Sequence, residues 1–404
     1  MVENNSLIKE NKICPITHSD KLITYLDLGQ MPLVNNLCDT KEDSLVCEKY
    51  PLSVQYCLDS ELSMLTHIIN PKLLYSNYYY MSGISQPYIL HCQNMFYDIS
   101  KIIEIKDNMN ILDIGGNDGT LLETFLSINP KLNVLNVDAS ENLTNYCKSI
   151  KNIPAINAFW DISVAKQINK KFDLITSTNV FQHTEYCNEF TEAISFSLSK
   201  NGLWCLEFPS WENSVLTNQF DQIYHEHLYY YDISPLQLLF KKYGLKIVSK
   251  KFLNIHGGTL RLLIVKNEHS LQEISINKTL TMSDYINWGN LVKNHISNSK
   301  KYILNLKNKG YKIAGFGAAA KGCVFLNAAK IDYTILEYVI DDTDIKQGKY
   351  IPGTGIKIVG REVLKKEPVD YILILAHNFT DYISRSLISY KGKIIVFFPE
   401  IKTI

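Results

Sequence analysis

The sequence lacks the features that mark a membrane, secreted or nucleic-acid-binding protein. No apolar run approaches the roughly 20 residues that span a bilayer, so no membrane partner is expected. The first residues, MVENNSLIKENK, are polar and contain no hydrophobic core of a signal peptide. Surplus charge is missing too. With 41 Lys and Arg against 41 Asp and Glu, no broad basic face is available, which argues against nucleic acid as a partner. The 9 cysteines are scattered and odd in number, which fits a reduced, cytoplasmic setting better than a disulfide framework. Internal repeats and low-complexity segments are also absent. What remains is 404 residues with 46% hydrophobic content, enough for two or three domains with a sizeable core.

The most informative stretch is Asn110 to Leu122, NILDIGGNDGTLL. Ile111, Leu112 and Ile114 predict a buried strand. It runs into a glycine turn at Gly115, Gly116 and Gly119, and Thr120, Leu121, Leu122 and Phe125 then begin a helical pattern. Strand, turn and helix form the opening of a dinucleotide-type βαβ unit. The G-x-G-x-x-G spacing of a diphosphate cradle is not present. Instead the order is Asp113-x-Gly115-x-Asn117-x-Gly119, with an acid at the strand end. A carboxylate there repels a diphosphate and attracts a cationic, amino-bearing ligand. A second acid, Asp138, closes the next strand, where it can accept bonds from ribose hydroxyls. This arrangement resembles that of the S-adenosylmethionine (SAM) methyltransferases. A glycine turn that merely ends a core strand is the bland alternative.

Further strands are expected at Pro154 to Phe159, Phe172 to Thr176, Leu203 to Phe208 and Gly258 to Val265, and a helix at Phe96 to Ile105. Asn157 and Phe159 would then lie beside an adenine. Asn179 would close the fourth strand at the ligand-binding edge of the sheet, with His183 just beyond it. Upstream, Tyr75, Tyr78, Tyr79 and Tyr80 form an aromatic cluster. Such a cluster is either core or a source of phenolic hydroxyls for a polar ligand.

Tyr224-His225-Glu226-His227 places two histidines, a glutamate and a tyrosine side by side. In an extended segment Tyr224 and Glu226 would share one face, and His225 and His227 the other. A metal would need a third ligand that the sequence does not supply. General acid–base chemistry needs only a histidine held near neutral pKa. Ser283 to Lys309 then reads as a long connecting helix. Beyond it, Tyr311 to Gly322 (YKIAGFGAAAKG) opens a second strand–turn–helix unit, in which Lys321 and open N–H groups offer an anion site.

Taken in order, the stretch from Leu26 to Asn35 (LDLGQMPLVN), the IGGNDGTLL loop, the YHEH segment and the GAAAKG…DDTDIKQGKYIPGTGIKI tail resemble the sugar C-methyltransferases acting on nucleotide-linked ketodeoxysugars. The resemblance spans nearly the whole chain. It implies an α/β protein of three parts. Residues 1–95 form a small irregular domain, 96–270 a Rossmann-like SAM methyltransferase domain, and 311–404 a second, Rossmann-like domain that binds nucleotide-sugar; 271–310 is a helical connector. By resemblance, SAM is held by Asp113, Gly115, Asn117, Gly119, Asp138, Asn157, Phe159 and Asn179. Tyr78, Tyr80, His225, Gly317 and Lys321 would contact a nucleotide-diphospho-ketosugar, thymidine-linked in this family. His227 is the expected base, Tyr224 and His183 are enolate donors, and Glu226 orients an imidazole. The family's N-terminal domain carries two C-x-x-C pairs that bind zinc. Here Thr17 follows Cys14 and Ser60 follows Cys57 at the paired positions, which argues against zinc and for a domain held by apolar contacts. A monomer or weak homo-oligomer in the cytoplasm is expected.

Competing expectations are an O- or N-methyltransferase on a nucleotide-sugar, a nicotinamide-dependent oxidoreductase using the C-terminal turn, and a non-catalytic nucleotide-sugar binder. The missing G-x-G-x-x-G weighs against the second. The intact Asp113, Asp138 and YHEH set weighs against the third.

Overall fold

A computed structural model describes residues 7–75, 83, 86–255, 257–275 and 279–404. Tyr78 and Tyr80, and the side chain of Tyr75, lie outside the described set.

The N-terminal region was expected to be irregular but contains a sheet. Strands β1 (Ile8–Glu10) and β5 (His67–Ile69) form a small antiparallel pair. Strands β2 (Leu22–Pro32), β3 (Lys49–Cys57) and β4 (Ser63–Leu65) form an antiparallel sheet. Its fourth strand is β11, Tyr229–Tyr230, from far along the chain, with Tyr229 opposite Met64 and Tyr230 opposite Ser63. The reading missed this because a two-residue strand has no periodicity to detect. Its consequence is direct: the segment just after the YHEH turn is fixed to the N-terminal sheet.

The central sheet uses β6 (Asn110–Ile114), β7 (Asn133–Asp138), β8 (Ala155–Asn157), β9 (Phe172–Thr178), β10 (Leu198–Pro209), β12 (Leu245–Leu253) and β13 (Thr259–Lys266). Their spatial order is β12-β13-β10-β9-β6-β7-β8. The core from β10 to β8 is parallel, and β13 runs against β10. Strand β6 is buried along most of its length, as a central parallel strand covered on both faces must be. The chain turns from β6 outward in both directions, so a crevice opens at the carboxyl ends of β6 and β9. The helix before β6 spans Gln86–Ser100 and not Phe96 to Ile105. It stops where the amides of Ile102 and Ile103 both bond the Ile99 carbonyl.

A 27-residue helix, Met282–Asn308, links the central sheet to the last one. It crosses β2 closely: a Cβ at Gly289 would sit 2.1 Å from the Tyr25 carbonyl oxygen, so only glycine fits. The C-terminal sheet uses β14 (Ile313–Phe316), β15 (Val339–Ile340), β16 (Tyr350–Ile351), β17 (Ile356–Val359), β18 (Tyr371–Ile374), β19 (Lys393–Val396) and β20 (Lys402–Thr403). Its order is β16-β17-β15-β14-β18-β19-β20, parallel except at its two edges. The chain is thus mixed α/β, with two large Rossmann-like sheets and a small N-terminal region.

Candidate active site

The glycine turn after β6 is shaped by close approach. A Cβ on Gly116 would fall 2.3 Å from Asn136 Oδ1 and 2.5 Å from Asp113 Oδ2. Gly115 has φ +67° and lies against Val180, so a side chain fails there twice. Asp113 is 1% exposed; the Thr176 hydroxyl donates to its Oδ1 at 2.7 Å. Among the described residues its Oδ2 has no partner. Burial pushes the carboxyl up to about 7. Asp138 accepts the Asn117 amide on Oδ2 (2.9 Å) and the Ser140 amide on Oδ1 (2.8 Å), which ties the turn to the end of β7. Asn157 donates to the Asp138 carbonyl at 3.1 Å. Phe159, two residues beyond, is 65% exposed. Asn179 follows β9 with φ 54°, and its amide bonds the Glu207 carbonyl. Gly119 begins the following helix with φ 79°. Asp113, Asn117, Asp138 and Asn157 thus stand at the carboxyl edge of the sheet, with Asp113 Oδ2 buried beneath the Gly116 turn.

The YHEH segment is a turn and not an extended strand. The His227 amide bonds the Tyr224 carbonyl at 2.9 Å, so the expected two-face alternation is lost and the side chains diverge. Tyr224 and His227 come together: the phenol oxygen is 2.7 Å from Nε2. Nδ1 of His227 lies 2.8 Å from the Gln222 carbonyl, which only accepts, so Nδ1 carries the proton and Nε2 keeps its lone pair. The His183 ring stands edge-on to His227 with centroids 5.0 Å apart. Burial lowers the affinity of both rings for a proton, His183 to about 4, and His183 depresses His227 further. Both are therefore neutral at neutral pH.

Glu226 points elsewhere. Its Oε1 accepts from Asn35 Nδ2 at 2.6 Å, and burial pushes its carboxyl up to about 7. What lies against the His183 ring is the Glu226 backbone and not its carboxylate. His225 is buried against the N-terminal sheet, its ring edge-on to Tyr50 at 6.0 Å. The turn is thus gripped from outside the central sheet. Asn35 sits inside the LDLGQMPLVN stretch, but nothing in the sequence says which of those residues reaches the turn.

In the C-terminal sheet the turn after β14 is partly closed by its own acid. The Gly317 amide bonds the Ile340 carbonyl, and the Ala318 amide bonds Asp341 Oδ2 at 2.8 Å. The expected open N–H groups are therefore engaged at these two positions. Lys321, at the start of the helix Ala320–Ala328, is half-buried, and burial lowers its ammonium to about 8. It borders the Gly257–Gly258 turn, where a Cβ at Gly257 would lie 3.1 Å from Nζ and 2.6 Å from both Gln219 Oε1 and Asn378 Oδ1. The sequence reading missed this glycine pair, although GG between two strands is a visible signal. It also missed the buried network behind Asn179, where His91 Nε2 meets Glu207 at 2.7 Å and Arg261 bridges Glu207 to Asp98.

The four positions of the two cysteine loops do converge. Cys14 Sγ lies 3.0 Å from Ser60 Oγ, and Thr17 Oγ1 lies 3.7 Å from Cys57 Sγ. Each loop closes the same way, His18 N–H to the Cys14 carbonyl and Glu61 N–H to the Cys57 carbonyl, both at 2.9 Å. Each ends on a left-handed residue, His18 (φ 58°) and Glu61 (φ 64°). Two thiols and two hydroxyls do not make the four-sulfur or sulfur–imidazole set that holds structural zinc. Among the described residues no group of three or more metal-binding side chains is clustered.

Comparison with known proteins covers the chain in three consecutive matches. Residues 14–75 match a family described as "Putative zinc binding domain", 93–250 a "Methyltransferase domain", and 254–399 a "C-methyltransferase C-terminal domain". A relative described as the C-methyltransferase NovU of Streptomyces niveus is 26% identical over 407 residues, covering 97% of this chain and 96% of the relative. Among solved structures, a SAM-dependent methyltransferase from Clostridium acetobutylicum is 16% identical over 48% of this chain and 95% of its own, with a TM-score of 0.35. The glycopeptide N-methyltransferase MtfA complexed with SAM is 9% identical over 43% of this chain and 93% of its own, with a TM-score of 0.34.

Proposed function

We propose that this methyltransferase transfers the methyl of SAM to a carbon beside the ketone of a nucleotide-diphospho-ketodeoxysugar, thymidine-linked as in the family it resembles. The observation that carries the reading is the Tyr224–His227 pair with His183 beside it. A neutral imidazole with a committed Nδ1–H and a lone pair on Nε2 is a base, and the phenol 2.7 Å from that nitrogen is a donor. In this reading His227 Nε2 removes the proton alpha to the ketone. The electron pair moves onto the carbonyl oxygen, which Tyr224 and His183 stabilise by donating to it. The enolate carbon then attacks the sulfonium methyl; the C–S bond breaks and S-adenosylhomocysteine leaves. The proton stays on His227 until solvent takes it.

SAM would lie over the β6 turn, its ammonium at Asp113 and its ribose near Asp138, with Asn157 and Phe159 beside the adenine. Residues 96–270 would form this unit, and residues 311–404 the nucleotide-sugar unit, with Lys321 near the diphosphate. Asn35 holds Glu226 as a polar wall of the sugar pocket.

The test is transfer from carbon-13 methyl-labelled SAM to a panel of nucleotide-ketosugars, followed by NMR. The reading expects a new methyl resonance coupled to a sugar carbon. A methyl bonded to oxygen or nitrogen overturns it.

A further inference from the structure

The segment that ends at Gln222 is a tongue of the central region inserted into the C-terminal one. The short 3-10 helix Phe220–Gln222 is fully buried. Phe220 packs against Phe325, Phe398 and His295, with ring centroids 6.4, 5.6 and 6.1 Å away. Next to it Asp221, 0% exposed, meets His377 of the loop after β18, with Nδ1 and Oδ2 2.8 Å apart.

The setting of His377 follows from its neighbours. The Thr217 hydroxyl donates its one proton to the Asn213 carbonyl, so it accepts from Gln219 Nε2 at 2.9 Å. That fixes the Gln219 amide, and Oε1 faces His377 Nε2 at 3.1 Å. Nε2 must therefore donate. His377 thus sits between the Gln219 amide and the buried Asp221 carboxyl. Among the described residues no group meets hydrogen-bond geometry at the Asp221 oxygens, and His377 Nδ1 is the charge-capable neighbour at 2.8 Å.

This matters one residue later. The Gln222 carbonyl accepts Nδ1–H of His227 and so sets both the tautomer and the direction of the base. We infer that His377 and Asp221 are a positioning pair: the C-terminal region, through their buried 2.8 Å contact, fixes the backbone that aims His227. On the other side, Tyr229 and Tyr230 pair with β4 and Asn35 holds Glu226. The reacting turn is therefore aimed by its two neighbouring regions and not by the central sheet alone. This inference rests on the proposed role of His227, but the geometry it claims can be read without substrate.

The experiment compares the full-length parent with Asp221→Asn, which keeps shape and removes charge, and with His377→Gln. Nitrogen-15 NMR of labelled histidine reads the His227 ring directly. In the parent the His227 Nδ1–H proton is bonded and protected. In the variants its exchange becomes at least about tenfold faster, and kcat falls about 10- to 100-fold with SAM affinity unchanged, as displacement of a catalytic group by a fraction of an ångström does. The double variant loses no more than the worse single one. A merely structural pair would lower the melting temperature yet leave ring exchange and kcat of the folded enzyme alone; that result overturns the inference. If His377→Gln does not fold, Asp221→Asn decides. If the parent methylates no ketosugar but the His227 proton still loosens in the variants, the positioning stands and the reaction reading falls.

Discussion

The Tyr224 hydroxyl lies 2.7 Å from Nε2 of His227, on the ring whose other nitrogen is committed to the Gln222 carbonyl. On the proposed reading neutral His227 is the reactive form; its affinity for protons is depressed by burial and by His183. The acid limb of kcat/KM should therefore fall below the ordinary histidine value of 6.5, activity being lost as pH drops through it. Burial pushes the Glu226 carboxyl up to about 7, so a second inflection is expected there. In a pH–rate profile, Glu226→Gln should remove the second and keep the first, and His227→Ala should abolish turnover. Tyr224→Phe should lower kcat by about 10- to 100-fold, the usual effect of losing one donor or proton-transfer partner.

Asn35 reaches Glu226 from the N-terminal region at 2.6 Å. Its bond favours the ionised carboxyl, against the desolvation that raises the pKa. Asn35→Ala should therefore move the Glu226 inflection above 7 and cost about 1–3 kcal/mol of stability through the group left without its donor. Chemical denaturation and the pH profile of the same variant check both halves. An unmoved inflection would mean that the bond does not govern Glu226.

Burial pushes the Asp113 carboxyl up to about 7. A bound ammonium favours its ionised form, so SAM binding at pH 7 should release a proton. Titration calorimetry in buffers of different ionisation heat measures this. Asp113→Asn should abolish that release and weaken SAM about tenfold or more; equal proton release in parent and variant would remove Asp113 from the ammonium site.

The paired loops at Cys14 and Cys57 should hold no stoichiometric zinc in the purified parent, and chelators should leave activity unchanged. Because both loops keep the same closure and the same left-handed end residue, Thr17→Cys with Ser60→Cys should restore a four-thiolate site. Elemental analysis of the parent and the thiolate–cobalt absorption of the double variant are the readouts. One zinc per parent chain, or no cobalt band in the variant, would contradict this.

What the sequence disclosed, it disclosed through local patterns. The strand and glycine turn of Asn110 to Leu122 combine apolar spacing with residues that only a tight turn needs, and the second Rossmann-like unit at Tyr311 to Gly322 shows the same signature. The strand Tyr229–Tyr230 was hidden because its partner lies more than 160 residues earlier, at Ser63–Met64. The YHEH segment was read as extended because alternation is the default for a short polar–aromatic run. It is a turn flanked by Asp221, which meets His377, and Tyr229, which pairs with Met64, and no window over the segment contains those partners. Asn35 and His377 were missed for the same reason: each acts on a residue brought near only by the packing of three regions.

Carbon methylation through an enolate makes one demand that methylation of oxygen or nitrogen does not. The proton beside the ketone must leave. We would incubate the enzyme with a thymidine-diphospho-4-keto-6-deoxysugar in deuterated water, first without and then with SAM, and follow the sugar by NMR. The account predicts deuterium beside the ketone, then a carbon-bound methyl once SAM is added, with both lost in His227→Ala. Methyl transfer to oxygen or nitrogen with the carbon-bound proton retained would contradict it.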